Sequence, residues 1–220
     1  MTTAVQPTTW TASELGNRFG PMPLWRIRFN PMPGEATEQD VLEVWEKERR
    51  LCELVDGVLV EKTMGMRESC LACTLGAYMK MFALGKKTGT VSGEGGMMRL
   101  MPGLVRIPDV AYISWDRLPG RRLPTAPIPD LAADLAVEVL SRSNTEEEMD
   151  NKLSDYFSCG VRLVWFVDPD TRTVTVYTSP DQSVVLREDQ TLEGGDVLPG
   201  FALPLRQLFA ELDAQAPSGA

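Results

Sequence analysis

Asp134-Leu135-Ala136-Val137-Glu138-Val139-Leu140 is almost wholly apolar, yet a carboxylate stands in its middle. A run of this length and composition reads as a strand covered on both faces. Side chains alternate along a strand, so Glu138 shares a face with Ala136 and Leu140. Placing an ionised carboxylate there is costly unless it is paired or bound to a metal. A cation is its natural partner.

The elements downstream of this strand follow from periodicity. Thr145-Glu146-Glu147-Glu148 has the form of a capping box, and Met149, Leu153, Tyr156 and Phe157 then build an apolar helical face that Gly160 can end. Lys152 lies at the border of that face. Val161 to Val167 reads as a strand, Asp168-Pro169-Asp170 as a turn, and Thr173 to Thr178 as a returning strand with β-branched alternation. Short strands near Gly194-Gly195 and Pro199-Gly200 and a helix from Leu205 to Leu212 complete the chain.

Upstream, Arg106 to Ser114 reads as one strand with Ile107, Asp109, Ala111 and Ile113 on one face, and Pro108 sets a bulge or an edge beside Asp109. Val91 to Leu100 reads as a strand interrupted by glycines. Leu71, Leu75, Tyr78 and Phe82 mark a helix from Arg67 to Gly85, with Glu68 at its start. Leu51 to Lys62 reads as a hairpin turning at Asp56-Gly57, and Thr37 and Asp40 open a short helix before it. The expected organisation is an irregular arm over residues 1–34, a single domain over 35–212 and a disordered tail over 213–220. The fold class is α/β with a mixed sheet.

Composition narrows the chemistry. The chain has 220 residues, a formal charge of −9 and no histidine. Without an imidazole there is no Ser-His-Asp triad, no Cys-His nucleophile and no His-bearing zinc finger. Of the four cysteines, Cys70 and Cys73 form a C-x-x-C pair without a second pair, so core cysteines are the expectation. No apolar run approaches the ~20 residues that span a bilayer, and the N-terminus lacks secretory features, which together point to the cytoplasm. Acidic proteins do not attract nucleic acid everywhere, but Arg99 to Ile128 carries five arginines against two acids. A local basic patch is expected there.

Asp109 and Glu138, on neighbouring strands, could converge as two hard oxygen donors that suit Mg²⁺. Each residue also has an ordinary reading. Glu138 could pair with Lys152, Lys152 could snorkel, and Glu68 could answer the helix dipole.

The order helix (Glu68), strand, strand (Asp109), strand (Glu138), helix (Lys152), strand resembles the core of the PD-(D/E)XK nuclease superfamily. More narrowly, Glu53-Leu54-Val55-Asp56-Gly57, Arg106-Ile107-Pro108-Asp109-Val110-Ala111, Leu135 to Ser141 and Gly160 to Pro169 look like a bacterial restriction endonuclease family. The position two residues after the glutamate, where the superfamily usually has lysine, is Leu140. The family is similar in carrying its lysine on the following helix, which here is Lys152. Its members often have a histidine on the first helix, where this chain has Glu68 or Ser69.

The resemblance implies a restriction-endonuclease-like core with an N-terminal hairpin and extra C-terminal strands. It implies Mg²⁺, or Mn²⁺ in its place, held by Asp109 and Glu138, with Lys152 positioning or helping to deprotonate the attacking water. Glu68 would orient Lys152 or add a ligand through water, and Glu53 is a further candidate. Arg99, Arg106, Arg121 and Arg122 would grip the phosphates of DNA, and a homodimer would suit cutting two strands. The competing expectation is a non-catalytic binding or regulatory module on the same fold.

Overall fold

The computed structural model describes residues 10–213. Residues 1–9 of the expected arm and 214–220 of the expected tail lie outside the described residues.

The chain opens with α1 (Ala12–Phe19), where an irregular arm was expected. Its signal is a local one: Thr11 caps the helix, and the Glu14 carboxylate accepts from the Thr11 N–H at 2.7 Å. Eight residues are too few to show sustained periodicity, but Leu15 and Phe19 bury against Val55, Val58 and Leu104. α2 (Glu38–Glu48) follows, with the Asp40 carboxylate accepting from the Thr37 N–H at 2.7 Å.

The hairpin β1 (Cys52–Val55) and β2 (Val58–Glu61) turns where its sequence requires, with positive φ at Asp56 (50°) and Gly57 (75°). α3 (Met66–Lys86) then leads to β3 (Gly89–Ser92), β4 (Met98–Met101), β5 (Leu104–Arg106) and β6 (Val110–Ser114). The strand expected over Arg106 to Ser114 is divided in two, and the one expected over Val91 to Leu100 is broken at its glycines. β3 and β6 join one sheet while β4 and β5 join another, because Ile107-Pro108-Asp109 breaks the ladder and re-aims the chain.

β7 (Leu135–Val139), α4 (Glu146–Ser158) and β8 (Leu163–Asp168) form a parallel crossover, and β9 (Thr173–Ser179) and β10 (Gln182–Arg187) extend the sheet by antiparallel pairing. β10 was not anticipated from the sequence. β11 (Thr191–Glu193), β12 (Ala202–Pro204) and α5 (Leu205–Phe209) finish the fold.

The central sheet has the order β10-β9-β8-β7-β6-β3, and the second sheet runs β2-β1-β5-β4. Alternation on β7 decides what each face packs against. Leu135, Val137 and Val139 meet Leu71, Leu75 and Met79 of α3, whereas Ala136 meets Met149, Leu153 and Tyr156 of α4. Glu138 follows Ala136 onto the α4 face.

α4 begins with half of the expected capping box. The Thr145 hydroxyl accepts from the Glu148 N–H at 3.1 Å, but the Glu148 carboxylate does not return to the cap. It is held instead by the Arg26 guanidinium at 2.8 and 2.7 Å. α4 also anchors α1: the Thr145 hydroxyl and the Asn151 amide donate to the carbonyls of Phe19 and Arg18 at 2.9 and 2.6 Å.

Candidate active site

β6 and β7 pair with Val110 opposite Val137, which carries Asp109 to the C-terminal half of β7. The Asp109 N–H donates to the Val137 carbonyl at 3.0 Å, and the Val139 N–H donates to Asp109 Oδ2 at 2.6 Å. The backbone of the strand that bears Glu138 therefore fixes this carboxylate in place. Two residues expected to converge do so, at the seam between the two sheets.

α4 presents Lys152 and Tyr156, spaced i and i+4 on one helical face, toward Glu138. Lys152 Nζ donates to Glu138 Oε2 at 3.1 Å, and the Tyr156 hydroxyl donates to Glu138 Oε1 at 2.5 Å. Lys152 also lies 3.3 Å from Glu53 Oε1, so the side chain of β1 reaches the same place. The other contacts of Glu53 are structural: it accepts from the Arg106 guanidinium at 2.8 Å and from the Ile107 N–H at 3.0 Å.

Lys62, just beyond β2, was not singled out in the sequence. Its ammonium donates to the Ile107 carbonyl at 2.5 Å, pairs with Asp109 Oδ1 at 2.6 Å and lies 3.8 Å from Glu138 Oε2. Nothing local marks it, because a lysine at the end of a hairpin normally reads as solvated. Only the pairing of β1 with β5 brings it inside.

Burial by itself would pull the Lys152 ammonium toward the neutral form. Glu138, then Glu53 and Glu148, outweigh that and hold it above the ordinary lysine range. Burial would likewise raise Glu53, but Lys152, Arg106 and Lys62 keep its carboxyl well below the usual range. Burial, reinforced by Glu138 and Glu53, pushes the Tyr156 phenol far up, so it remains a hydrogen-bond donor. A lysine held as an ammonium can orient a water and neutralise charge.

The other expected residues lie elsewhere. Glu68 stands on the first turn of α3 and lines a cleft of about 430 Å³ with Thr63, Ser141 and Arg142, and among the described residues it makes no ion pair with Lys152. Arg106 is 3% exposed and is occupied by Glu53 and Asp155, which takes it out of any surface set that could grip phosphate. As an inner strand of its sheet, β5 is covered on both edges, where the sequence led one to expect an arginine free to grip phosphate. Arg99 is paired with Glu38, and Arg121 with Asp116. Arg121 and Arg122 follow the C-terminal end of β6, while Asp109 precedes its start. The length of the strand puts about 13 Å between the two ends.

Asp109, though buried, forms part of the wall of a groove of about 480 Å³, together with Ala72, Cys73, Gly76 and Lys80 of α3 and Val91 of β3. Oxygens of Asp109, Glu138 and the Ile107 carbonyl converge on a single cation, the Lys62 ammonium. An all-oxygen set of this kind fits a hard divalent ion. Among the described residues no three His, Cys, Asp or Glu side chains gather closely enough to hold a metal alone, so main-chain oxygen and water would complete the shell.

A mixed sheet with two carboxylates at its seam and a lysine on the crossover helix defines a protein of the restriction-endonuclease-like, PD-(D/E)XK type. The chain belongs to the Uma2 family, described as "Putative restriction endonuclease", which it matches over residues 38–206. Among solved structures it is similar to a protein from Anabaena variabilis described as "a putative nuclease belonging to DUF820". The two share 20% identity, the match covers 74% of this chain and 91% of that one, and the TM-score is 0.66. At that identity the likeness carries the fold. No curated protein matches the chain. Family and fold together point to a nuclease in general. No helix among the described residues is long and apolar enough to cross a membrane.

Proposed function

We propose that the chain is a Mg²⁺-dependent endonuclease that hydrolyses phosphodiester bonds of DNA, with Mn²⁺ able to take the place of Mg²⁺. The observation that carries this reading is the convergence of Asp109, Glu138 and the Ile107 carbonyl on one cation position, with Lys152 bonded to the same glutamate. In this reading Asp109 and Glu138 hold the metal. When bound, Mg²⁺ would polarise the phosphate and make a coordinated water more acidic. Asp109 keeps its geometry through the Val139 N–H, and Glu138 keeps its own through Lys152 and Tyr156. Lys152, fully charged, orients the attacking water and offsets charge on the phosphorane-like transition state. Glu53 fixes Lys152 and is a positioning residue.

Purified protein should nick supercoiled plasmid with Mg²⁺ or Mn²⁺ and stop on addition of EDTA. Asp109→Asn, Glu138→Gln and Lys152→Met should each abolish nicking while leaving the melting transition cooperative. Variants that cut as well as the parent would show that the site has been assigned to the wrong residues.

One observation favours a second reading, a nuclease fold that binds without cutting: Asp109 is paired with Lys62 and Glu138 with Lys152. That reading predicts no binding of Mn²⁺ in a calorimetric titration. Binding that disappears in Glu138→Gln would dismiss it.

A further inference from the structure

The two lysines of the site do different things. Lys152 approaches from α4 and braces Glu138 against Glu53. Lys62 approaches from β2, its side chain 8% exposed, and spans both Asp109 and Glu138 while also donating to the Ile107 carbonyl. Those three oxygens are the ones that make up the cation position. An ammonium is a compact point charge with donors that can be redirected, carried on a flexible four-carbon stem. It can occupy such a cage and leave it without any rearrangement of the strands.

We propose that Lys62 is a positioning residue that competes with the metal. Its ammonium fills the divalent-cation position in the metal-free protein, keeps the two carboxylates converged, and withdraws when the metal enters. This inference rests on the metal-dependent reading above. Without a cation between them, two buried carboxylates aimed at one point would repel each other and either spread or take up a proton. The linked set contains four acids, Glu53, Asp109, Glu138 and Asp155, and three bases, Lys62, Arg106 and Lys152. Exchanging an ammonium for a divalent ion shifts that balance by one charge. Admitting the ion beside a retained ammonium shifts it by two and sets two cations against each other within a few ångströms. Exchange is therefore the favoured route, and metal affinity carries the cost of expelling Lys62.

The sign of the effect separates this role from a merely structural one. A residue that only props the site open would weaken metal binding when removed; a competitor would strengthen it. The full chain, without nucleic acid, is titrated calorimetrically with MnCl₂ alongside Lys62→Met and Lys62→Gln. Both variants are expected to bind Mn²⁺ about tenfold more tightly than the parent. The parent itself supplies a second readout that does not depend on how the variants fold. Saturating Mn²⁺ should expose the Lys62 amine to a water-soluble acylating reagent, read by peptide mass spectrometry. Equal or weaker binding by the variants of a parent that does bind Mn²⁺, or a Lys62 equally protected with and without Mn²⁺, overturns the proposal and leaves the metal site standing. If neither the parent nor the variants bind Mn²⁺ at millimolar concentration, the metal-dependent reading fails and this inference falls with it.

Discussion

Two groups of buried charges meet along α4, and they are built from different bases. Arg26 and Glu148 form a closed pair, with side chains 4% and 3% exposed and two nearly parallel hydrogen bonds at 2.7 and 2.8 Å. Two further donors of Arg26 go to the carbonyls of Glu61 and Ser143. A planar guanidinium matched to a carboxylate in this way has nothing to exchange with. Asp109 and Glu138, equally buried, are held by the ammonium groups of Lys62 and Lys152, and Asp109 lines an open groove. The arginine pair clamps the segment after α1 to α4. The lysine group presents oxygens that can change partners. Burial of charge by itself thus does not distinguish a structural device from a reactive one; the kind of base and the access to solvent do.

The sharpest way to break the comparison is to remove one member from each group. Glu138→Ala should reduce plasmid nicking on the order of 10³-fold, as expected when a group that stabilises transition-state charge is lost. Arg26→Ala should instead leave Glu148 buried without a partner and cost about 3–5 kcal/mol in urea unfolding. Its Mn²⁺ affinity should match that of the parent. If Arg26→Ala weakened metal binding as strongly as Glu138→Ala, the two groups would be a single system.

A smaller effect should appear on acidification. Burial would raise the Glu148 carboxyl, but the hydrogen bonds from Arg26 outweigh it and hold the group below its ordinary 4.5. Glu53 is depressed in the same sense by Lys152 and Arg106. A carboxylate with a lowered folded-state pKa stabilises the fold above its unfolded value, and that stability is lost as pH falls through the folded value. The contribution of these two carboxylates to stability should therefore be lost below pH 4.5, by about 1.4 kcal/mol per pH unit for each proton taken up. Arg26→Ala should have a shallower acid limb. An unchanged limb would show that the clamp does not contribute to it.

The smallest effects are expected at the basic loop after β6. Arg121, with a side chain 72% exposed, pairs with Asp116 at the far end of the strand from Asp109. Arg121→Ala and Arg122→Ala should change stability by no more than about 0.5 kcal/mol and nicking by less than about threefold. A larger loss of nicking, with binding of plasmid weakened in parallel, would bring this loop back into the DNA-contacting surface.

The residues of the candidate site were not equally legible. Glu138 could be read directly, because a charge inside an apolar strand is anomalous wherever the strand lies. Asp109 rested on the pairing of its strand with that of Glu138, and Pro108 beside it, read as a bulge or an edge, turned out to separate two sheets. Lys152 rested on resemblance to a family and proved to be one helical turn from Tyr156, which also bonds Glu138. Lys62 and the clamp role of Arg26 escaped, since each depends on ion-pair partners 47 or more residues away that no local pattern connects. Arg106 was misread for the same reason: its sequence neighbours do not reveal that β1 and β4 enclose β5.

The alternation that divides β7 between α3 and α4, the starts of α2 and α4, the hairpin at Asp56-Gly57 and the absence of any imidazole chemistry were legible in the residues alone. These depend on periods of two and 3.6 residues and on single side chains, all of which act over a few residues. Only the tertiary structure decided which cations meet which carboxylates. That choice is made by the order of strands in two sheets meeting at Ile107-Pro108-Asp109, where buried charges must find partners from whatever elements the packing brings within a few ångströms.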